Sequence, residues 1–463
     1  MHFWTGWEDA APSLRSRSFV LWVGVCLAGC SDASSRGQAV SGGATGFGGS
    51  SNVDASMGGM AGDSGATGGT AGGSTALAAT PPMGWNSWNK FQNQPDETLI
   101  KAIADAMVSS GMKAAGYQYV NIDDGWSQKQ RDPSGTLVPD SERFPSGIKA
   151  LADYVHSKGL KLGIYGDRGT ETCTGYPGSY DHETQDAQTF ADWGIDYLKY
   201  DNCAIPSERS NEQAMQEDYG KMASALKATG RPIVFSICAW RFRDWMPSVA
   251  HLWRTGPDIN DHWLSDRHSL ISVIDKNGGD TSGYGVFSDA SNPEGAFYDP
   301  PGVAAYAGPG HWNDPDALEV GNGGMTAIEY RSHFSLWAIM AAPLITGNDL
   351  RNMDQATLDI LLNDEVIAVD QDPLGRQGKP ISESTQQEVW SKPLSGDRTY
   401  AVILFNRATD AVDISVTWSQ LGLLSSTALV RDLWDKKDLG SVATRYQANV
   451  PGHGVVMLKV VGQ

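Results

Sequence analysis

The chain has 463 residues, with 54 acidic against 35 basic side chains and a formal net charge of -19. That length holds two or three domains with a large buried core, and that charge argues against nucleic acid or anionic lipid as a partner of the folded part. Sixteen Trp residues suit the apolar faces of sugars, though Trp is equally ordinary core material.

Residues 1–30 read as an export signal. Arg15 and Arg17 precede an apolar run over 19–27 that is far shorter than the ~20 residues a membrane span needs, and small residues follow it. Its end, Leu27-Ala28-Gly29-Cys30, resembles the bacterial lipobox, which makes Cys30 a lipidation site and the only expected contact with a membrane; a secreted protein cut nearby is the alternative. Ser31 after the cysteine, by resemblance to Gram-negative lipoproteins, points to the outer membrane. Residues 31–79 are dominated by Gly, Ser, Ala and Thr, which predicts a disordered tether reaching roughly 40 Å. Of five cysteines, Cys173, Cys203 and Cys238 remain for the folded part, and an oxidising compartment predicts one disulfide and one free thiol.

From Pro81 onward short β-like runs alternate with helical ones. Ile100, Ile103, Ala104, Met107 and Val108 share a helical face, and a strand over 117–122 ends in Asp123 and Asp124. Ile148, Leu151, Ala152 and Val155 form a second stripe stopped at Gly159, followed by a strand over 160–165 ending near Asp167. Then come a helix over 184–193, a strand at Tyr197, a helix over 213–228 and strands over 233–237 and 252–255. A strand near Trp312, a helix over 334–342 and a strand over 343–346 complete about eight units, which favours a closed (β/α)8 barrel over an open sheet. Residues 279–301 read as a long loop on its rim. After Pro373, strands over 399–405, 411–418, 429–433 and 455–461 follow without helices. The fold class is therefore α/β, with a catalytic barrel over 80–375 and a small antiparallel β-sandwich over 376–463.

The segment 197–203 reads Tyr-Leu-Lys-Tyr-Asp-Asn-Cys. With Leu198 and Tyr200 turned to the helices, Lys199 and Asp201 share the opposite face, where a charge is costly unless paired. A carboxylate held by a cation at a strand's C-terminal end suits a nucleophile or a substrate clamp. Asp123, Asp124, Asp201, Asp258, Asp314 and Asp316 all lie at proposed strand ends and converge on one barrel mouth. Two carboxylates flanking a bond are what glycoside hydrolysis requires. Beside Lys199, Asp201 is expected to have a lowered pKa and to stay ionised. Asp258, on a loop past its strand and in a less cationic setting, is the candidate acid. No metal or other cofactor is expected, because the aspartates come without a His/Cys ligand pattern.

The motifs Thr-Pro-Pro-Met-Gly-Trp-Asn-Ser-Trp at 80–88, Asn-Ile-Asp-Asp-Gly-Trp at 121–126, Leu-Gly-Ile-Tyr at 162–165, the 197–203 segment, Trp253-Arg254-Thr255 with Asp258, and Gly-Pro-Gly-His-Trp-Asn-Asp-Pro-Asp at 308–316 occur in the order seen in glycoside hydrolase family 27. The chain resembles that family from about Thr80 to its C-terminus. The resemblance implies a (β/α)8 barrel followed by a β-sandwich, and a retaining mechanism through a covalent glycosyl-aspartate. By position it makes Asp201 the nucleophile, Asp258 the acid/base, and Trp85 an aromatic wall of the sugar pocket. Asp123 and Asp124 match the pair that grips the axial 4-OH and the 6-OH. Tyr165, Lys199, Cys203, Trp240, Arg254 and Asp316 match further substrate contacts, and Cys173 with Cys203 matches a disulfide beside the pocket.

Two departures concern specificity. Ala239 stands where many relatives carry Glu, in the loop that in animal members reads the sugar's 2-substituent, and Ala317 stands where Met is usual; both are expected to enlarge the pocket. The expectation is an exo-acting α-galactosidase on oligosaccharides or polysaccharide side chains. Its rivals within the chemistry are α-N-acetylgalactosaminidase and β-L-arabinopyranosidase, the latter disfavoured by Asp124. A non-catalytic sugar-binding lipoprotein is the rival of another class, opposed by the presence of both Asp201 and Asp258.

Overall fold

A computed structural model describes residues 77–263 and 303–463, Thr385 excepted. The export signal with Cys30, nearly all of the tether and the rim loop over 279–301 lie outside the described residues. Among the described residues no helix is long and apolar enough to cross a membrane.

Eight short parallel strands surround the site: β1 (Met83–Asn86), β2 (Tyr119–Asn121), β3 (Lys161–Asp167), β4 (Tyr197–Asp201), β5 (Val234–Ile237), β6 (Leu252–Arg254), β7 (Trp312–Asp314) and β8 (Leu344–Thr346). Their order is β7-β6-β5-β4-β3-β2-β1-β8. The ring closes just past β7, where Leu318 bridges to Thr346. The Leu318 N–H donates to the Ile345 carbonyl (2.7 Å), and the Gly347 N–H donates to that of Leu318 (2.9 Å). Several strands are shorter than their apolar runs, because paired backbone covers only part of each extended segment.

The helices follow the periodicity. After the single turn α1 (Trp88–Phe91), α2 (Glu97–Ser109) begins at Asp96, whose side chain accepts from the Leu99 N–H, and buries Ile100, Ile103, Ala104 and Met107. Val108, expected on the same face, is 40% exposed because it sits at the edge of that stripe. In α3 (Gly147–Ser157) all four expected apolar residues are buried. The helices α4 (Glu183–Trp193) and α5 (Glu212–Ala228) cover the next strands, α4 ending at Gly194 with φ +84°. The helix expected over 334–342 is longer: α6 (Ala327–Met340) starts at a capping box between Thr326 and Glu329 and is buried almost all round. Two short helices, α7 (Gln355–Leu361) and α8 (Asp364–Asp370), lead out of the barrel.

The C-terminal part is a β-sandwich. Its larger sheet runs β14-β13-β16-β11-β10-β9 and its smaller one β12-β15. The members are β9 (Lys379–Glu383), β10 (Gln387–Pro393), β11 (Thr399–Asn406), β12 (Val412–Thr417), β13 (Thr427–Asp432), β14 (Lys437–Ala443), β15 (Arg445–Val450) and β16 (Val455–Gly462). Along β11, Ala401, Ile403 and Phe405 join the core shared with the barrel, while Val402 and Leu404 join the core between the sheets. Burial on both faces explains its unbroken apolar run. The strands absent from the sequence reading, notably β14 and β15, are largely exposed and carry no such run.

Candidate active site

The strand order places the acidic side chains around one mouth. Just past β2, Asp123 and Asp124 are both 2% exposed. The Asp123 carboxylate accepts from Lys199 Nζ (2.8 Å) and from Asn86 Nδ2 (2.9 Å). Asp124 accepts from the backbone N–H and hydroxyl of Thr174 (2.9 and 2.8 Å), and burial raises its pKa. On β4, Leu198 and Tyr200 turn into the helix layer as expected, Tyr200 packing edge-on against Tyr219 of α5.

Lys199 does face the other way, but its ion pair is with Asp123. Burial opposes its charge, yet Asp123 together with Asp201, Asp258 and Cys238 outweighs that and holds its pKa well above the ordinary lysine value. Asp201 consequently departs from expectation. Its carboxylate accepts from the Tyr165 hydroxyl (3.0 Å) and the Asn202 N–H (2.9 Å), and burial pushes its pKa up to about 6, against the pull of Lys199. The adjacency of lysine and aspartate in sequence did not reveal that the lysine's hydrogen bond goes to another carboxylate.

On the opposite side Arg254 ends β6, 3% exposed. It donates to Asp258 (2.9 Å) and pairs with Asp316 (3.1 Å). The expectation of a less cationic setting for Asp258 is therefore corrected: the residue has a guanidinium beside it, and its side chain is 58% exposed. Asp316, at φ +116°, also accepts from the Ile259 N–H (2.8 Å); burial pushes it up to about 6, with Arg254 opposing and Asp258 reinforcing the shift. Asp258 likewise raises Asp201. The three carboxylates thus press on one another across the site.

A cavity of about 360 Å³ opens here, lined among others by Trp88, Lys199, Cys238, Arg254, Asp258 and Ala317. Trp85 is not its aromatic wall. It is wholly enclosed, its indole N–H donating to the Asn348 carbonyl (2.7 Å), and Trp88, three residues on, lines the cavity instead. Ala317 lines the cavity as expected. Ala239 does not leave a void at the site: it is 3% exposed within the barrel core, its carbonyl accepting from Arg243 (3.1 Å), and Cys238 is the residue of that loop that faces the cavity. Trp240 follows at φ +57° and is 37% exposed.

Cys173 and Cys203 are disulfide-bonded, and Cys238 is a buried free thiol. The Tyr165 hydroxyl lies 3.3 Å from the Cys173 sulfur, so the disulfide abuts the Tyr165–Asp201 pair. Asp167, missed as a site residue, lies in direct register with Asp201. It accepts from the Gly169 and Cys203 N–H groups (2.7 and 2.9 Å), and burial, reinforced by Asp201, raises its pKa well above the usual range. Period two along β3, which puts Tyr165 and Asp167 on one face, was the available signal. Asp167, Asp201 and the two cysteines cluster within 4.8 Å, but a disulfide leaves no thiolate to bind a metal.

The family model described as alpha galactosidase A matches residues 80–292 and 296–372, and that for the alpha galactosidase C-terminal beta sandwich domain matches 384–460. The chain belongs to the alpha-galactosidase family. Within the family it is 49% identical over 389 residues to alpha-galactosidase 2 of Arabidopsis thaliana, covering 83% of this chain and 90% of the plant protein. It is 46% identical to alpha-galactosidase A of Cellvibrio japonicus, over 83% of this chain and 92% of that one. The crystal structure of alpha-galactosidase I from Mortierella vinacea superposes with a TM-score of 0.77 at 38% identity, over 84% of this chain and 99% of that one. For this alpha-galactosidase family member the similarity spans both the barrel that carries the strand-end carboxylates and the sandwich behind it.

Proposed function

We propose that the protein is a retaining, exo-acting α-galactosidase in which Asp201 attacks the anomeric carbon and Asp258 protonates the departing glycosidic oxygen. The observation that carries this reading is the division of the carboxylates. Asp201 is deep, oriented by Tyr165, and near the Lys199–Asp123 pair, whereas Asp258 stands on the open side beside Arg254. In the first step the Asp201 oxygen bonds to the anomeric carbon, the bond to the aglycone breaks, and the aglycone leaves with the proton of Asp258. Esterification removes the Asp201 charge that disfavours ionisation of Asp258. Asp258 is then better able, as a carboxylate, to take a proton from the water that releases the sugar.

Asp123 and Asp124, pinned by Lys199 and Thr174, supply fixed acceptors for sugar hydroxyls. The relatives are named as alpha-galactosidases, which supports a terminal α-galactosyl residue as the group transferred. Reaction with a 2-fluoro galactosyl fluoride followed by peptide mass spectrometry tests the assignment: the added mass should lie on the peptide containing Asp201, and label elsewhere refutes it.

One observation favours α-N-acetylgalactosaminidase as the second reading, namely the small Ala317 on the cavity wall. Nitrophenyl α-galactoside and the corresponding N-acetylgalactosaminide separate the two, preferential cleavage of the latter overturning the first choice. The Arg-flanked apolar run ending in Leu-Ala-Gly-Cys30 supports export and a lipid anchor at the outer membrane. Membrane fractionation of the native chain and of Cys30→Ala tests that part, since an anchored protein should become soluble on substitution.

A further inference from the structure

We propose that Asp261 is a positioning residue for Asp258: its carboxylate, clasped by Tyr330 and Gly324, fixes where the loop after β6 presents the acid. The inference rests on the reading of Asp258 as the acid/base. Asp258 stands four residues beyond the end of β6, on a loop, with more than half its side chain exposed. A general acid must lie within hydrogen-bond reach of the leaving oxygen, so a loop that carries one has to be held.

From inside the barrel the hold is Arg254 on Asp258 and Asp316 on the Ile259 N–H. From outside it is Asp261. Both of its oxygens accept from the Tyr330 hydroxyl (2.7 and 2.9 Å), and one also accepts from the Gly324 N–H. The Tyr330 oxygen in turn accepts from the Gly323 N–H (2.6 Å). The approach is so close that a Cβ on Gly324 would fall 1.9 Å from the Asp261 carbonyl oxygen. Tyr330 itself is fixed, one turn into α6, by the capping box at Thr326.

The segment that grips Asp261 is tied to the far side of the mouth. Glu319 accepts from Asn89, just past β1, and from Asn322 (2.6 Å). Two residues beyond Asp261, Trp263 stacks on His453 of the sandwich (4.9 Å between centroids, 20° between planes) and meets Phe405 of β11 edge-on. The acid-bearing loop is thus held from α1, from α6 and from the sandwich. Asp261 lines the cavity, but both its oxygens are engaged by the clasp.

A positioning role for the acid predicts a dependence on the leaving group. Aryl α-galactosides of graded leaving-group acidity should be compared by kcat/KM in native protein, Tyr330→Phe, Asp261→Ala and Asp258→Ala. Loosening the clasp should lower kcat/KM about 10- to 100-fold for poor leaving groups, the scale of a misplaced catalytic group, and leave the most activated substrate nearly unchanged. Asp258→Ala should show the same selectivity in full, on the order of 10²- to 10⁴-fold. A uniform loss, or none, in the clasp variants beside a selective loss in Asp258→Ala overturns the positioning role and leaves the acid assignment standing. Absence of selectivity in Asp258→Ala overturns the acid assignment and the clasp with it. Should Asp261→Ala fail to fold, Tyr330→Phe, which removes a single oxygen atom, carries the test.

Discussion

Lys199 gives its ammonium to Asp123, 2.8 Å away just past β2 and across β3, rather than to Asp201 two residues along its own strand. The cation therefore fixes the carboxylate proposed to grip the sugar and acts on the proposed nucleophile through space. Lys199→Met should accordingly leave Asp123 buried without its cation. Breaking a pair of this kind costs about 3 to 5 kcal/mol when both groups are buried, and less here because Lys199 retains some solvent contact. Thermal melts should show the destabilisation, and kcat/KM should fall about 100-fold, as for loss of one fixed electrostatic group in a dry site.

The proposed nucleophile works as a carboxylate, and burial has raised its pKa to about 6. The acid limb of the kcat/KM profile should therefore turn over near pH 6, rather than near the ordinary aspartate value. The same shift has a consequence for stability. A carboxyl whose folded pKa exceeds its unfolded one favours folding while protonated, and that contribution is lost as pH rises from about 4 through about 6. Asp201→Asn should remove part of this slope and melt higher than the native protein at pH 7; an unchanged melting profile across that window would falsify the assignment of the shift to Asp201.

Trp85 and Trp88 should part company under substitution. Trp85→Ala removes a wholly enclosed indole and should cost about 3 to 5 kcal/mol of stability. Trp88→Ala, at the cavity wall, should raise KM with a much smaller change in melting temperature. Urea denaturation and steady-state kinetics on the two variants distinguish them, and a KM effect confined to Trp85 would reverse the roles.

At the seam between barrel and sandwich, Lys392 of β10 is fully buried and donates to the carbonyls of Ala338 (3.2 Å) and Val369 (2.6 Å), closing the C-terminal ends of α6 and α8. Burial, with Asp370 opposing, lowers its pKa to about 8. Lys392→Met should destabilise the protein by about 1 to 3 kcal/mol, since it leaves those buried carbonyls without their donor, measured as the shift in urea midpoint.

Local pattern carried much of the architecture. The stripes of α2 and α3, the face-sharing of Lys199 and Asp201 on β4, and the gathering of aspartates at strand ends are all set by periods of 3.6 and 2 that neighbouring residues impose on any chain. The strands β14 and β15 stayed hidden because they are largely exposed and carry no apolar run, their order coming from pairing, β14 with the preceding β13 and β15 with the more remote β12.

What the sequence determined by itself was that aspartates at the strand ends gather at the mouth of the barrel, because strand direction and side-chain alternation are local properties. Which of them touch one another was decided only by the tertiary structure. Lys199 against Asp123, Arg254 against both Asp258 and Asp316, Asp261 against Tyr330, and Trp88 rather than Trp85 at the cavity each join different elements or depend on where one packs against another. Desolvation and the nearby charges of Lys199, Asp258 and Asp123, which set the pKa of Asp201, depend on distance in space, and closeness in space is fixed only once the barrel has closed.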